Sequence, residues 1–371
     1  MLITVNNPVL STNIFIAIFI IALLVSLRKN KAEGLFPVVL TYELKGFAIL
    51  AILFSHVGYF LSADHRFLFP LSVAAGVGVN LFLFLSGYGV TMSSLRKELT
   101  IKEFYKKRLL KILIPFWIII TFFFLLDYFI LRTSYSWSYI FRSFAGYFPR
   151  ADLFSDINSP LWFLTPIFFY YLIYPLVFLK KRPWLTALLI YIITYFILQF
   201  NLPISANVFN LYKLHILAFP LGIALAYIFS MPYDLNRLIP EKLKIPDALR
   251  PYLKFLKWFS YYAFLAALLV LIGYTAYYSG VGQGPEVEQR ISLLTMSAIV
   301  IFFMMKKYEV RLFHIFGLYA FEIYLIHWPL TSRYDIFFRF FPGWLAMALY
   351  LAVLLAVPWL LVELSNLTQK K

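Results

Sequence analysis

The sequence predicts an all-α membrane protein with about eleven transmembrane helices. Apolar residues make up 62% of the 371-residue chain and charged residues 13%, against about 25% charged residues in soluble domains. Apolar runs near the ~20 residues that cross the hydrocarbon core recur along the whole length. The chain has no cysteine, which excludes disulfides, thiol catalysis and cysteine-bound metals. No spacing matches a zinc site, so no metal is expected.

Eleven apolar runs account for nearly all of the chain. The first run has neither a basic segment before it nor a small-residue cleavage site after it, so we expect an uncleaved helix. The predicted spans cover about 9–27, 40–61, 71–92, 112–131, 161–179, 183–200, 213–230, 258–278, 291–305, 312–332 and 343–364.

The basic residues of the loops give the predicted helices a direction. If alternate loops are assigned to opposite sides, one side receives 24 Lys and Arg residues and the other eight, while Lys45 lies within a span. The positive-inside rule then predicts an N-terminus outside and a C-terminus in the cytoplasm. This topology accounts for the net charge of +16 without a nucleic-acid partner. The longest extracytoplasmic loop, about residues 132–160, is aromatic and polar, and we expect a lid or interfacial element there.

The second span carries two ionisable residues of a kind that is costly inside a bilayer and usually functional there. Eleven residues separate Lys45 from His56, which is roughly 16 Å at the helical rise. We therefore expect Lys45 near the cytoplasmic interface and His56 near mid-membrane. Lys45 has a second explanation, because long basic side chains near helix ends snorkel to the interface. His56 is either a hydrogen-bonded histidine of the bundle or a general base, since an unperturbed imidazole titrates near working pH.

Polar and basic residues also mark the third and fourth spans. Asn80 is expected at a depth similar to that of His56, and Ser86 closer to the cytoplasm. Small and polar residues often serve only helix packing and interhelical hydrogen bonds. The basic segment 104–115 predicts either contacts with anionic lipid headgroups or a site for cofactor phosphates. The basic segment and Lys45 are predicted on the same side of the membrane, which favours the phosphate site.

The tenth span adds an intramembrane acid and a second histidine. Glu322 and His327 are five residues apart, so on a helix they project about 140° apart and need not face each other. Either side chain could complete a polar path through the bundle. The other three histidines, His65, His215 and His314, fall in or near loops and are expected to be ordinary residues.

Taken in their order along the chain, the polar and basic segments of these spans resemble those of the acyltransferase 3 family of integral-membrane acyltransferases. The family's hallmark is an Arg, ten residues and a His in its first core span, and Lys45 and His56 have that spacing. The family also has an aromatic run ending in Ser-Gly, a basic segment before a proline, a Leu-Trp-Phe element and a closing Tyr-Leu-x-His segment. The similar segments here are 80–88, 107–115, 161–164 and 321–330. The resemblance covers about residues 40–364.

The chain departs from the family pattern at two positions. Lys45 replaces the hallmark Arg, which keeps the charge and loses the planar guanidinium fork. Asn80 stands where many relatives carry Asp, so it supplies no carboxylate to His56. The family core has ten spans, which makes residues 1–35 an additional N-terminal helix with its cytoplasmic loop, and residues 36–371 the acyltransferase domain.

The resemblance implies transfer of an acyl group, most simply acetyl, from cytoplasmic acyl-CoA to a hydroxyl of a cell-envelope polysaccharide, glycolipid or lipid-linked sugar. The implied location is the inner or plasma membrane of a bacterium, with the lipid bilayer as a further partner. His56 would deprotonate the hydroxyl or carry the acyl group, and Lys45 would orient the thioester or stabilise oxyanion charge. The expected cofactor contacts are Ser86, Tyr88, Lys107, Arg108 and Lys111. The expected acceptor contacts are Asn80, Trp162, Glu322, Tyr324 and His327.

Two other functions also fit these residues. A transporter or flippase of a glycolipid or acyl group would use the intramembrane His and Glu side chains as a proton relay. A membrane scaffold for envelope-assembly enzymes would keep its function without His56. Consumption of acyl-CoA distinguishes the enzyme from both.

Overall fold

Helices make up most of the chain. The computed structural model describes residues 2–30, 33–97, 100–231, 250–279 and 284–369. The α-helices of this part are α1 (Pro8–Val25), α2 (Val38–Gly58), α3 (Ala75–Arg96), α4 (Ile101–Phe129), α5 (Trp137–Phe144), α6 (Leu164–Val177), α7 (Pro183–Ile197), α8 (Ala206–His215), α9 (Ala218–Ser230), α10 (Arg250–Tyr278), α11 (Pro285–Met305), α12 (Arg311–Leu318), α13 (Ala320–Ser332) and α14 (Gly343–Gln369). Short 3-10 helices cover Leu71–Val73 and Ser159–Phe163.

The helices agree with the predicted membrane class. Within the described ranges, 9 helical segments are long and apolar enough to cross a membrane. Each of the eleven predicted spans contains helix, but four differ in form from the expectation. The span 161–179 begins as a 3-10 helix and continues as α6, and the span 213–230 is divided between α8 and α9. Helix α7 has 15 residues, fewer than the ~20 that cross the hydrocarbon core. The predicted span 312–332 is divided between α12 and α13, because the backbone leaves the helical region at Tyr319 (φ −108°, ψ 15°). The count of eleven crossings and the orientation of the termini stay predictions.

Two short strands are an addition to the predicted all-α fold. Strand β1 (Leu27–Lys29) pairs antiparallel with β2 (Tyr308–Val310). The buried carboxylate of Glu43 fixes this pair to α2, because its Oε1 accepts from the Val310 N–H at 2.6 Å and from Lys306 Nζ at 2.6 Å. The strand pair therefore holds the segments around α1 and α12 against the start of α2.

The two ends of the bundle differ in chemistry. We call the end that carries the strand pair and the starts of α2 and α4 the basic end. We call the opposite end, which carries residues 130–163, the loop end. Residues 232–249 and 370–371, which contribute to the predicted loop charge, lie outside the described residues.

Glycines allow α2 and α12 to cross with their backbones in contact. A Cβ built on Gly46 would lie 1.8 Å from the carbonyl oxygen of Phe313, and one built on Gly317 would lie 1.8 Å from that of Tyr42. No side chain fits at either position. Small residues at such crossings are typical of membrane helix pairs. This crossing fixes the position of the helix that carries Lys45 and His56.

Helix α4 begins well before its predicted span. Thr100 and Glu103 form a capping box, in which the Glu103 N–H donates to Thr100 Oγ1 at 3.3 Å and the Thr100 N–H donates to Glu103 Oε2 at 2.8 Å. The helix therefore starts at Ile101 and not near residue 112. As a result, the basic residues 106–111 are helical and project at fixed angles.

Candidate active site

Two histidines from different predicted spans meet towards the loop end of the bundle. His56 lies in the last turn of α2, and His327 lies on α13. Their rings stack with centroids 5.1 Å apart and an interplanar angle of 16°. His56 Nδ1 is 2.8 Å from His327 Nε2, which is hydrogen-bond distance. His56 is near one end of its helix, where we expected it near the middle of the span, because α2 ends at Gly58.

A backbone carbonyl fixes the protons of this histidine pair. His327 Nδ1 is 2.7 Å from the carbonyl oxygen of Tyr324, and a carbonyl oxygen only accepts. His327 Nδ1 therefore carries a proton, and in the neutral ring Nε2 is the acceptor. His56 Nδ1 must then donate to His327. Neutral His56 keeps a lone pair on Nε2, to which no group in the described part of the chain is bonded. This is the state that a general base requires.

The two histidines differ in how far the bundle encloses them. His327 is 1% exposed, and Tyr350 donates to its carbonyl oxygen at 2.8 Å. His56 keeps accessible surface. Part of His56 is therefore open to a ligand, whereas His327 is enclosed by the bundle.

The indole of Trp328 packs edge-on against His56. The two ring centroids are 5.1 Å apart, and the rings are at 88° to each other. Trp328 is 1% exposed, and among the described residues its Nε1–H has no hydrogen-bond partner. Leaving a buried donor unpaired costs about 1–3 kcal/mol. The ring that packs against His56 therefore carries a buried N–H that is unpaired within the described ranges.

A second group of charged residues lies towards the basic end. Lys45 is within electrostatic range of Arg108, Lys111 and Glu322, and Glu322 is likewise within range of Lys45 and Lys111. We call these four residues the basic cluster; three cations and one carboxylate give it a net charge of +2. The sequence places Glu322 in the first turn of α13, where the helix dipole favours a carboxylate.

Lys45 and His56 face different parts of the bundle despite their shared helix. Their separation on α2 is about 16 Å, and helical side chains lean towards the N-terminus, which for Lys45 is away from His56. The Lys45 ammonium lies 5.6 Å from the ring centroid of Tyr42. Lys45 thus belongs to the basic cluster and does not contact the histidine pair.

Arg108 carries a buried donor that is unpaired within the described ranges. Its Nη2 donates to the carbonyl oxygen of Gly89 at 3.4 Å. Its Nε is buried and has no hydrogen-bond partner within the ranges that the structure covers. Lys111 is exposed one turn further along α4, and Lys107 is also exposed. Of these three basic side chains, that of Arg108 is therefore the most buried.

Comparison with protein families decides the class of this chain. The family model described as an acyltransferase domain, acyltransferase 3, matches residues 44–363. The chain belongs to the acyltransferase 3 family. No curated protein and no solved structure matches it. The predicted resemblance is confirmed, and the family together with the apolar helices supports a multi-pass membrane acyltransferase. The predicted division at residue 35 stays a prediction.

A third histidine of the acyltransferase is buried in a network that sequence reasoning missed. His215, which we expected to be an ordinary residue in or near a loop, is the last residue of α8 and is 3% exposed. Its Nδ1 is 2.7 Å from Asn80 Oδ1, and Asn80 Nδ2 donates to Ser292 Oγ at 3.0 Å. Asn80 therefore serves His215 and not His56. No local spacing could have indicated this, because the partners lie on three distant helices.

Two of the predicted acceptor-binding residues connect this network to the histidine pair. The ring of Trp162 stacks on His215 with centroids 6.0 Å apart. The hydroxyl of Tyr324 donates to the carbonyl oxygen of Pro160, two residues before Trp162. Tyr324 thus anchors α13 through its side chain and positions His327 through its carbonyl group.

Ser86 and Tyr88 pack within the bundle of the acyltransferase. Ser86 Oγ lies 3.1 Å from the hydroxyl of Tyr171, and the ring of Tyr88 lies 4.5 Å from that of Phe36. Between them, Gly87 contacts the backbone of α9, since a Cβ there would lie 2.2 Å from the carbonyl oxygen of Phe219. This region therefore serves helix packing, and a role in cofactor binding stays a prediction.

Proposed function

We propose that this protein transfers an acyl group, most simply acetyl, from cytoplasmic acyl-CoA to a hydroxyl of a cell-envelope polysaccharide, glycolipid or lipid-linked sugar. We further propose that it acts in the inner membrane of a bacterium, with the basic end in the cytoplasm. The observation that carries the proposal is the histidine pair, whose hydrogen bonds leave His56 Nε2 without a partner among the described residues, on a residue that is only partly buried.

In the proposed reaction, His56 Nε2 takes the proton of the acceptor hydroxyl while its oxygen attacks the thioester carbonyl. The carbon–sulfur bond then breaks, and His56 returns the proton to the departing CoA sulfur. The positive charge that His56 carries in between is stabilised by His327 Nε2, which accepts from His56 Nδ1 at 2.8 Å. General-base catalysis of this kind contributes typically 10²–10⁴-fold in rate.

The attacked carbonyl oxygen needs a donor as it becomes negative. We assign this role to the Nε1–H of Trp328, because it is unpaired within the described ranges and its ring packs against His56. Since Nε1 is buried, this role requires the indole to turn towards the substrate when the substrate binds. Lys45 is a poorer candidate, since about 16 Å of helix separates it from His56. We assign Lys45 instead to the phosphate-bearing part of the donor.

The basic cluster suits the phosphates of acyl-CoA. Lys45, Arg108 and Glu322 of this cluster are partly buried, and an unbalanced charge is costly inside a membrane bundle. An anion that binds there restores the balance and offers an acceptor to Arg108 Nε. Arg108 would bind the phosphates bidentately, while Lys111 and Lys107 would act as point charges. Glu322, the carboxylate of this cluster, is on the same helix as His327 and would help to align the pantetheine chain.

Membranes that contain the protein test the proposal directly. With radiolabelled acetyl-CoA and endogenous acceptor, we expect label to enter envelope glycan or glycolipid at a rate proportional to the amount of wild-type protein. The variant Lys29→Gln, in the exposed strand β1, should transfer label normally. Transport driven by a pH gradient without use of acetyl-CoA would instead favour the transporter hypothesis, with the His and Glu side chains as a relay.

A further inference from the structure

A polar cavity lies at the loop end, apart from the histidine pair and the basic cluster. It has a volume of about 270 Å³ and is lined by α5 and the segment that follows it. Its polar and aromatic lining includes Ser136, Tyr139, Arg142, Tyr147, Arg150 and Asp156. A cavity of this size holds one ring of a sugar or a molecule of similar bulk.

Two arginines and one buried carboxylate set the charge of this cavity. Arg150 Nε donates to Asp156 Oδ1 at 3.0 Å, and the Arg150 side chain is 54% exposed, so much of it remains available to a ligand. Asp156 Oδ2 also accepts from the Asp152 N–H at 2.8 Å. Arg142 Nε donates to the carbonyl oxygen of Ser138 at 3.2 Å. Of the three charged lining groups, two are positive and one is negative, which leaves a net charge of +1.

The aromatic walls of the cavity are held in place by their hydroxyl groups. Tyr139 accepts from the Ile157 N–H at 3.0 Å, and its ring stacks on Tyr135 with centroids 5.1 Å apart. Tyr147 donates to the carbonyl oxygen of Pro203 at 2.9 Å. Rigid aromatic faces beside hydrogen-bonding groups suit a ligand that has apolar faces and polar edges, as a sugar ring does.

Short connections join the cavity to the histidine helix. Two residues after Asp156, Asn158 Nδ2 donates to the carbonyl oxygen of Leu325 on α13 at 2.8 Å. Arg333, just beyond the end of α13, donates from Nη2 to the carbonyl oxygen of Asp156 at 3.2 Å. The wall of the cavity is therefore joined by direct hydrogen bonds to the helix that carries His327 and to the residue just beyond it.

We propose that this cavity binds an acidic sugar, a residue that carries one carboxylate, through the outer nitrogens of Arg142 and Arg150. A uronic-acid carboxylate has a single charge, which matches the net charge of the cavity, and its two oxygens match the arginine fork. A phosphate monoester carries up to −2, more than the lining balances. The identification of this sugar as part of the acyl acceptor rests on the proposed function; the binding of the sugar does not.

A matched pair of oligosaccharides tests the binding. β-1,4-Linked tetraglucuronate and cellotetraose differ only in the oxidation of C6, and binding of each to the full-length protein in nanodiscs is measured by calorimetry without acyl-CoA. We expect tetraglucuronate to bind at least tenfold more tightly at low salt, and sodium chloride to weaken it. Equal affinity of the two probes, or no binding of tetraglucuronate, would overturn the proposal.

The variant Arg142→Gln isolates the cavity. Arg142 is exposed and bonds only a carbonyl group among the described residues, so its loss should leave the fold intact, whereas Arg150 also holds Asp156. We expect Arg142→Gln to weaken tetraglucuronate at least fivefold and Arg132→Gln, a control in the same loop outside the cavity lining, less than twofold. Equal losses in both would refute the site. A protein that binds tetraglucuronate selectively and transfers no acyl group would uphold this site and refute the reaction.

Discussion

Replacing His327 with leucine tests whether the histidine pair prepares His56 for catalysis. The change removes the only acceptor for the His56 Nδ1–H within the described residues, which now lies 2.8 Å away. It also frees His56 to place its single proton on Nε2, the atom that must act as the base. Loss of a hydrogen bond to a group that becomes charged costs about 1.5–3 kcal/mol. Since about 1.4 kcal/mol is tenfold in rate, we expect kcat to fall about 10- to 150-fold.

The variant His327→Gln supplies the control. A glutamine amide oxygen can take the place of Nε2 and accept from His56, so kcat should stay within tenfold of the wild-type value. Both variants should leave the KM for acyl-CoA unchanged, because His327 is not part of the basic cluster that we assign to the donor phosphates. The assay is steady-state acyl transfer in nanodiscs, with thermal unfolding as a check on the fold. Equal kcat values for the leucine variant and the wild type would refute the assigned tautomer.

Three further predictions concern the donor site, the oxyanion donor and the fold. Arg108→Gln should raise the KM for acyl-CoA about tenfold, as expected for the loss of a hydrogen bond to a charged group. Lys107→Gln, at an exposed position, should raise this KM less. A larger effect of Lys107→Gln than of Arg108→Gln would instead favour binding of lipid headgroups by the basic segment. Trp328→Phe should lower kcat about tenfold without raising KM, and unchanged turnover would remove the indole from the mechanism. Gly46→Ala should prevent folding or strongly destabilise the protein, because the added Cβ would lie 1.8 Å from the backbone of α12. A Cβ at Gly273 has nothing within 4 Å. Gly273→Ala should therefore be neutral or stabilise the protein by up to ~1 kcal/mol, as measured by thermal unfolding.

The hydropathy of the sequence predicted the helices well, because the length and apolar character of a membrane helix depend on its own residues and not on distant partners. The division at Tyr319 was not predictable in this way, since the residues on both sides are apolar and the break depends on how α12 packs on α2 through Gly317. The short strands were also missed. They depend on the buried carboxylate of Glu43, whose partner Lys306 is 263 residues away.

In the candidate site, too, contacts between distant residues could not be predicted from the sequence. The family spacing identified His56 and Lys45, and the tenth span identified His327 and Glu322. The sequence did not indicate that His56 bonds His327, 271 residues away, or that Lys45 joins a different group of residues. Spacing along one helix gives the distance between two side chains, but the neighbouring helices determine which partners each one meets.

Mass spectrometry of envelope glycans tests the central claim most directly. Isogenic cells that express either the wild-type protein or the His56→Ala variant, at equal levels in the membrane, would be compared. We predict an acyl-sized mass increment on a glycan or glycolipid in the wild-type cells and its loss in the variant cells. The same increment in both strains would contradict the assignment of His56 as the base.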